Sequence, residues 1–304
     1  MSRSGNGWQK QRISISSLFI QRNDGLRICL ICAVGHYEEV LLKSVSLVIA
    51  LYNQIDYTRG CIASIMACTP RPYELILIDN GSADGTAEYL RTVDATVITN
   101  ETNLGCAKAW NQGIRASHGE VVGILNNDIV VTPGWIETLC EFMTRGPYGI
   151  VCPSAREGLL NYDLQAYARE FTHACAGARR RELYAPCMLI DRAVFTRIGL
   201  FDDEFTYGGC EDTDFRWRTE RAGFDIAMTG AVLIHHFSMV TQNSIKRTET
   251  DQYWNDNMAH FRDKWGRTIR GNWFERRWTD LKSKWVQRYE RFRFGHTLVE
   301  KPLQ

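Results

Sequence analysis

No stretch of this chain approaches the roughly 20 consecutive apolar residues that cross a bilayer. The segment from Ile28 to Val34 is too short to span, and it has no small-residue cleavage pattern, so it does not read as a signal peptide. Neither sign of charge is in excess. The formal net charge is +1, which removes any global pull toward nucleic acid or acidic partners. Internal repeats and low-complexity tracts are absent, which excludes solenoid architectures. A structural zinc site needs two Cys-x-x-Cys knuckles or nearby histidines, and only Cys29 and Cys32 form such a pair. The remaining cysteines fall mostly within apolar segments, as the reduced thiols of a cytoplasmic protein do.

What is present is ordinary globular material. At 304 residues, 44% hydrophobic and 23% charged, the chain suits one large α/β domain with appendages or two small domains. Residues 1–43 differ from the rest: a polar start is followed by two apolar stretches with no clear period, which reads as a poorly ordered N-terminal extension. Regular alternation begins at Ser44. Val45 to Leu51 is a β-branched run, and a helical pattern from Ile55 to Ala67 is stopped by Pro70. Glu74 to Ile78 and Thr96 to Thr99 read as strands, with helices predicted from Asp84 to Arg91, where Ser82 would be the cap, and from Cys106 to Ser117. Val121 to Leu125 is a fourth strand. Strands alternating with helices of about ten residues predict βαβ units and a mostly parallel sheet. Further on, helices are predicted at Trp135 to Met143, Arg192 to Ile198 and Asp212 to Ala222, and strands at Leu183 to Ile190 and Ile226 to Ile234. The middle, Arg156 to Arg181, reads as irregular and polar.

Two groups of residues point to chemistry. The apolar strand Val121 to Leu125 stops at Asn126-Asn127-Asp128, and a parallel strand delivers its last residues to the sheet edge where α/β proteins bind ligands. A carboxylate there suits a hard cation that bridges phosphate oxygens. Much later, Glu211-Asp212 offers a base for a hydroxyl nucleophile. Together they suggest metal-assisted transfer from a nucleotide-activated donor.

The motifs in order resemble family-2 glycosyltransferases of the A-type (GT-A) fold. The resemblance rests on Ser46-Leu47-Val48-Ile49-Ala50-Leu51-Tyr52-Asn53, on Leu77-Ile78-Asp79-Asn80-Gly81-Ser82, and on Asn103-Leu104-Gly105 with Asn111 and Gly113. It continues in Asn126-Asn127-Asp128, at the position of the family's DxD motif, and in Gly199-Leu200-Phe201-Asp202 followed by Glu211-Asp212. It covers Ser44 to Trp265, so residues 44–265 are expected to form the transferase domain and 266–304 a basic, aromatic helical tail. The implied architecture is a Rossmann-like, mostly parallel sheet flanked by helices.

That resemblance implies roles residue by residue. Ala50, Tyr52 and Asn53 lie on the nucleotide-sugar side. Asp79 would accept the imide hydrogen of uracil or thymine, although a turn-forming aspartate is the plainer reading. Asn103 and Gly105 bring backbone close to the donor, and Lys108 meets phosphate or is merely solvated. Asn126 replaces the usual aspartate of the triplet and bonds ribose through its amide, with Asn127 beside it. Asp128 holds Mg²⁺ or Mn²⁺, completed by His236 in preference to His235, either of which also fits a structural histidine. Asp212 is the base, with Glu211 raising its pKa, and Asp214 is a neighbour outside the pair. The acceptor is expected over Arg156 to Tyr207.

The implied activity is inverting transfer of a sugar from a UDP- or dTDP-sugar to a hydroxyl on a glycan, lipid-linked or protein acceptor, in the manner of polysaccharide-assembly enzymes including rhamnosyltransferases. Two other readings stay open: a nucleotidyltransferase, although Leu51-Tyr52-Asn53-Gln54 lacks its basic Gly-rich loop, and an inactive sugar-binding module. In the tail, Trp278, Leu281, Trp285, Tyr289 and Phe292 recur at helical spacing among basic residues. This fits peripheral contact with the inner face of the cell membrane, or a homo-oligomer contact.

Overall fold

Continuous β-branched and leucine runs need burial on both faces, and the sheet of this protein supplies it. The structure is a computed structural model that describes residues 28–30, 39–41, 43–70, 72–238, 247–269 and 271–301. The chain divides into two units, Met1–Leu42 and Lys43–Gln304. In the first, β1 (Ile28–Leu30) pairs antiparallel with β2 (Glu39–Leu41). Most of the predicted N-terminal extension lies outside the described residues.

The second unit opens with β3 (Val45–Leu51), α1 (Ile55–Cys68), β4 (Glu74–Asp79), α2 (Thr86–Leu90), β5 (Thr96–Thr99), α3 (Cys106–Ala116) and β6 (Val121–Leu125). The strands β5, β4, β3 and β6 are neighbours in that order and all run parallel. The sheet continues through the short β7 (Ile129–Val130), then α4 (Trp135–Thr144), β8 (Tyr148–Glu157), α5 (Leu164–Cys175), β9 (Arg179–Arg180), β10 (Cys187–Asp191), α6 (Arg192–Ile198), α7 (Glu211–Arg221) and β11 (Asp225–His236). Last come α8 (Arg247–Trp265), α9 (Trp273–Phe294) and β12 (Val299–Glu300).

Three strands break the parallel order: the short β7 and β9 each pair antiparallel with β11, and β10 is set within the sheet. β10 lies between β6 and β8 and runs antiparallel to both, whereas β11 pairs parallel with β8. The ends of β3, β4, β6, β8 and β11 therefore collect at one sheet edge. They deliver Leu51, Asp79, Leu125, Glu157 and His236 there, because Leu51 faces Asp79, Ile49 faces Leu125 and His236 faces Glu157 in register.

Packing follows from side-chain size. Gly113 on α3 sits so close to β3 that an added Cβ would lie 2.3 Å from Val48 Cγ1. Trp135, at the start of α4, is fully buried and donates its indole N–H to Thr69 Oγ1 at 2.9 Å. Cys61, Cys152 and Cys187 are buried in the same core, and burial pushes the Cys61 and Cys152 thiols up to about 12 and Cys187 well above its ordinary value. A second, smaller cluster of Phe205, Cys210 and Phe261 packs with Trp217, Met258 and Trp265, fastening α8 to α7.

Three expectations need correction. Ser82 does not cap α2: that helix starts at Gly85 without a side-chain cap, and the Ser82 hydroxyl instead accepts the Asn53 amide at 2.8 Å. The stretch from Arg156 to Arg181 is not irregular throughout. It contains α5, started by Asp163, whose carboxylate accepts the Ala166 amide. The strand expected from Leu183 begins only at Cys187, because Tyr184, Ala185 and Pro186 form the approach to the sheet edge.

Candidate active site

The first half of the edge is built from short polar side chains that fix one another. Asn53 has a positive φ of 54°, tolerable for asparagine, and its side-chain oxygen accepts the Ala83 amide at 2.8 Å. This ties the end of β3 to the loop after β4. Asp79 is almost fully buried at the end of β4, with Oδ1 accepting the Ser82 amide at 3.0 Å. Its neighbour Asn80 donates to Asn103 Oδ1 at 2.8 Å and accepts from the Leu104 amide and from Asn100. The Asp79 loop and the Asn103-Leu104-Gly105 loop are thus one hydrogen-bonded unit. Ala50 and Tyr52, at the end of β3, are half-buried, and Lys108 stands exposed one turn into α3.

Gly105 links this unit to the second half of the site. Its φ is 84°, and a Cβ there would lie 2.7 Å from the Tyr207 amide nitrogen, so only glycine fits. The backbone then stays left-handed for four residues, Tyr207, Gly208, Gly209 and Cys210, before α7 begins at Glu211. Asn257 of α8 holds this strained turn, accepting the Thr206 amide and donating to the Thr206 and Gly209 carbonyls.

The turn presents Glu211 and Asp212 at the first turn of α7. Glu211 is buried; Oε1 accepts the Cys106 thiol at 3.2 Å and Oε2 has no hydrogen-bond partner. Burial, with the charge of Asp212, raises its pKa to about 7. Asp212 is partly exposed. Desolvation raises its pKa, against opposing hydrogen bonds from Thr213 and the charge of Arg216. Asp214 has a different environment. It is fully buried between Arg218 Nε at 2.8 Å, Lys264 Nζ at 2.8 Å and the Trp265 indole at 2.8 Å. It is a saturated structural anion that braces α7 against α8. Asp202, in the preceding block, plays a similar part: despite partial burial, Lys264 and His260 draw its pKa down to about 2.

The triplet after β6 divides by direction. Asn126 is held by its backbone, its amide donating to the Pro186 carbonyl at 2.9 Å. The Asn127 side chain turns inward and donates to Thr58 Oγ1 of α1 at 3.0 Å, so its amide nitrogen serves the scaffold. Asp128 is brought together with His236, whose Nε2 lies 3.3 Å from Asp128 Oδ1. That Oδ1 is buried and makes no hydrogen bond. On the other side of the ring, His236 Nδ1 meets the Tyr184 hydroxyl at 2.9 Å, and this hydroxyl donates to Glu157 Oε1 at 3.1 Å. Burial disfavours the charged ring, but Asp128 and Glu157 prevail and raise His236 to about 9.

His235 points to the opposite face of β11. It contacts the Tyr162 hydroxyl through Nδ1 at 2.9 Å, and burial lowers its pKa to about 4. The structure does not join it to Asp128. Tyr184 and Glu157 are site members that sequence reasoning missed. Glu157 had one signal, its place at the end of the apolar run Ile150 to Cys152, and Tyr184 had none.

The arrangement of Asp128 and His236 suits a divalent cation. Asp128 Oδ1 faces, at 3.3 Å, an imidazole nitrogen whose partner nitrogen is already oriented by Tyr184, as the rings of ligating histidines are. Among the described residues no group of three or more His, Cys, Asp or Glu is placed to hold a metal ion. Two protein ligands plus phosphate oxygens is a usual set for Mg²⁺.

The family described as Glycosyl transferase family 2 matches residues 46–261. An N-acetylglucosaminyl-diphospho-decaprenol L-rhamnosyltransferase of Mycobacterium tuberculosis (strain ATCC 25618 / H37Rv) is 28% identical over 227 residues, 61% of this chain and 73% of that protein. Glycosyltransferase GlyG of Streptococcus pneumoniae serotype 4 is 33% identical over 102 residues, 32% of this chain and 34% of its own length. Among solved structures, GalNAc-T7 with UDP, GalNAc and Mn²⁺ superposes with a TM-score of 0.53 at 19% identity, covering 64% of this chain and 43% of that one.

Proposed function

The chain belongs to glycosyl transferase family 2, with the A-type fold, and we propose that it transfers a sugar with inversion from a uridine or thymidine diphosphate donor to a hydroxyl acceptor. The observation that carries this reading is the buried Asp128 carboxylate paired with His236 at the edge where the strands end. A nucleotidyltransferase or an inactive sugar-binding module accounts less well for a second, separate pair of raised carboxylates.

In this reading the donor lies over the Asp79, Asn103 and Gly105 unit. Asp79 accepts the imide hydrogen of the base, and Asn126 with the ends of β3 lines the ribose. Asp128 and His236 would hold Mg²⁺ or Mn²⁺, which would offset the charge of the departing diphosphate. Tyr184 and Glu157 orient the His236 ring. Asp212 takes the acceptor's proton as the hydroxyl oxygen attacks the anomeric carbon. The bond from that carbon to the diphosphate oxygen breaks, and one displacement inverts the centre. Desolvation keeps the Asp212 proton affinity high enough for a base, rather than the charge of Glu211, whose own acidity is lowered by burial and by Asp212.

The decaprenol diphosphate in the mycobacterial relative's name supports a lipid-linked glycan as acceptor, in surface polysaccharide assembly at the cytoplasmic side of a membrane. Because the chain spans 43% of GalNAc-T7, that likeness supports the fold and lends its Mn²⁺ only as a parallel.

The test is a nucleotide-sugar panel incubated with the full chain and scored for nucleoside diphosphate release, with anomeric configuration of the product read by NMR. Release from UDP- or dTDP-sugars with an inverted product supports the reading. Release of sugar 1-phosphate with formation of a nucleoside triphosphate when pyrophosphate is added, or retention of configuration, overturns it.

A further inference from the structure

The helix α9 carries a surface that the transfer reaction does not use. It starts with a capping box, Asn272 with Glu275, and runs 22 residues to Gly295. Residues 272–285 are exposed all round, and only the C-terminal turns touch the body, through one side. Glu290 is buried, bonded to Arg180 at 3.0 Å and to the Leu298 amide at 3.0 Å, and Phe294 packs against the main core.

The opposite side is aromatic and exposed. Phe274, Trp278, Leu281, Trp285, Tyr289 and Phe292 are between 49% and 90% accessible. At about 100° of rotation per residue they fall within an arc of about 80°. A soluble helix normally buries such a stripe. Basic residues border it on both sides: Arg277, Lys284, Arg288 and Arg291 along one margin, Lys282 and Arg293 along the other. The helix holds seven Lys and Arg against three Asp and Glu. Of those acids, Glu290 is spent on Arg180 and Glu275 on the cap and Arg267, leaving Asp280.

We propose that α9 docks this protein on an anionic phospholipid surface, lying in the plane of the interface with the aromatic stripe inserted and the two basic margins on the headgroups. Three features select a membrane over a second copy. The stripe is rich in tryptophan and tyrosine, whose amphipathic rings suit the interfacial zone. Its margins are of one sign, so pairing two stripes would set arginines against arginines, whereas anionic headgroups complement them. The helix is too polar to cross, consistent with the absence of any spanning helix among the described residues. Lipid binding needs neither donor nor acceptor, so it stands or fails apart from the proposed transfer.

The experiment uses the full chain, vesicles of phosphatidylcholine with about 30 mol % phosphatidylglycerol, and vesicles of phosphatidylcholine alone. The chain is expected to co-sediment with the anionic vesicles, to shift its tryptophan emission to shorter wavelength, and to release as salt rises above about 0.5 M. The double variant Trp278→Ser, Trp285→Ser should bind at least about tenfold more weakly. The triple variant Arg277→Glu, Lys284→Glu, Arg288→Glu should lose about 100-fold or more. All these side chains are exposed, so thermal unfolding should match wild type and serves as the folding control. No sedimentation of the intact chain, or equal binding by the variants, overturns the proposal. So does a dimer in analytical ultracentrifugation that the tryptophan variant dissociates while vesicle binding stays absent, which would assign the stripe to a second copy.

Discussion

Asn257 grips Thr206 by both of its backbone groups, accepting its N–H at 3.0 Å and donating to its C=O at 2.8 Å. The same amide reaches the Gly209 carbonyl at 3.0 Å, so one side chain of α8 replaces the regular hydrogen bonding that the left-handed turn before α7 cannot have. Asn257→Ala leaves the part-buried Thr206 amide and Gly209 carbonyl without this partner, while the Thr206 carbonyl keeps the Gly208 amide, and should cost about 1 kcal/mol of stability. We expect kcat to fall about tenfold or more while donor affinity holds, because the turn carries Glu211 and Asp212 but not Asp79. Thermal unfolding with donor calorimetry and initial rates checks this; a kcat unchanged from wild type would detach the turn from the chemistry.

Asp212 and Asp214 should separate cleanly. Asp212→Asn keeps its shape and the Thr213 contact but cannot take a proton, so transfer should drop about 100-fold or more with little loss of stability. Asp214→Asn leaves Arg218 partly buried without its anion and Lys264 with Asp202 alone, and should cost about 3 kcal/mol of stability. If the Asp214 variant folds like wild type and abolishes transfer, the roles are reversed.

The carboxylate pair predicts an acid limb in the rate profile. Glu211 titrates near 7 and Asp212 is also raised, so the active, deprotonated state should be lost as pH falls below about 7. Stability should move the other way. A folded pKa above the unfolded one means the folded state holds the proton more tightly, so this contribution is present at acid pH and declines as pH rises from about 4.5 through about 7. Glu211→Gln removes the like charge and should shift the limb of kcat to lower pH. A limb that stays in place would exclude coupling between the two residues.

Cation dependence should follow the Asp128 and His236 pair. Transfer is expected to need Mg²⁺ or Mn²⁺, to stop in chelator, and to be lost in Asp128→Ala; His236→Ala should raise the cation concentration needed by about 10-fold or more. Tyr184→Phe removes the hydroxyl that orients the ring and should give a milder loss in the same direction. Mn²⁺ binding can be followed by electron paramagnetic resonance. Full activity in chelator would remove the metal role.

Much of this was legible because the informative signals are local. Val45 to Leu51, Leu75 to Ile78 and Val121 to Leu125 are buried on both faces and so read as unbroken apolar runs, and the polar residues that end them fall at the sheet edge. β8 was harder. Pro153, Ser154 and Ala155 interrupt its pattern, and it keeps its place through pairing with β10 and β11, which no local window contains. The order of the sheet hid for the same reason, since β10 is antiparallel by virtue of its partners. At the site, the preference for His236 over His235 followed from no pattern in the chain. In the structure, alternation along β11 sends the His236 ring toward Asp128 and the His235 ring toward Tyr162. Tyr184 escaped notice because it precedes its strand and acts through the fold.

The buried thiols of the core make the native state its own protecting group. Alkylating agents attack the thiolate, and with Cys61 and Cys152 held at about 12 almost none exists at neutral pH, even if reagent could reach them. Each modification event must therefore wait for the sheet to part, exposing Cys61 on α1, Cys152 on β8 and Cys187 on β10 to water and to an ordinary acidity. Timed alkylation read by mass spectrometry would then act as a clock of opening, residue by residue, across the middle of the sheet.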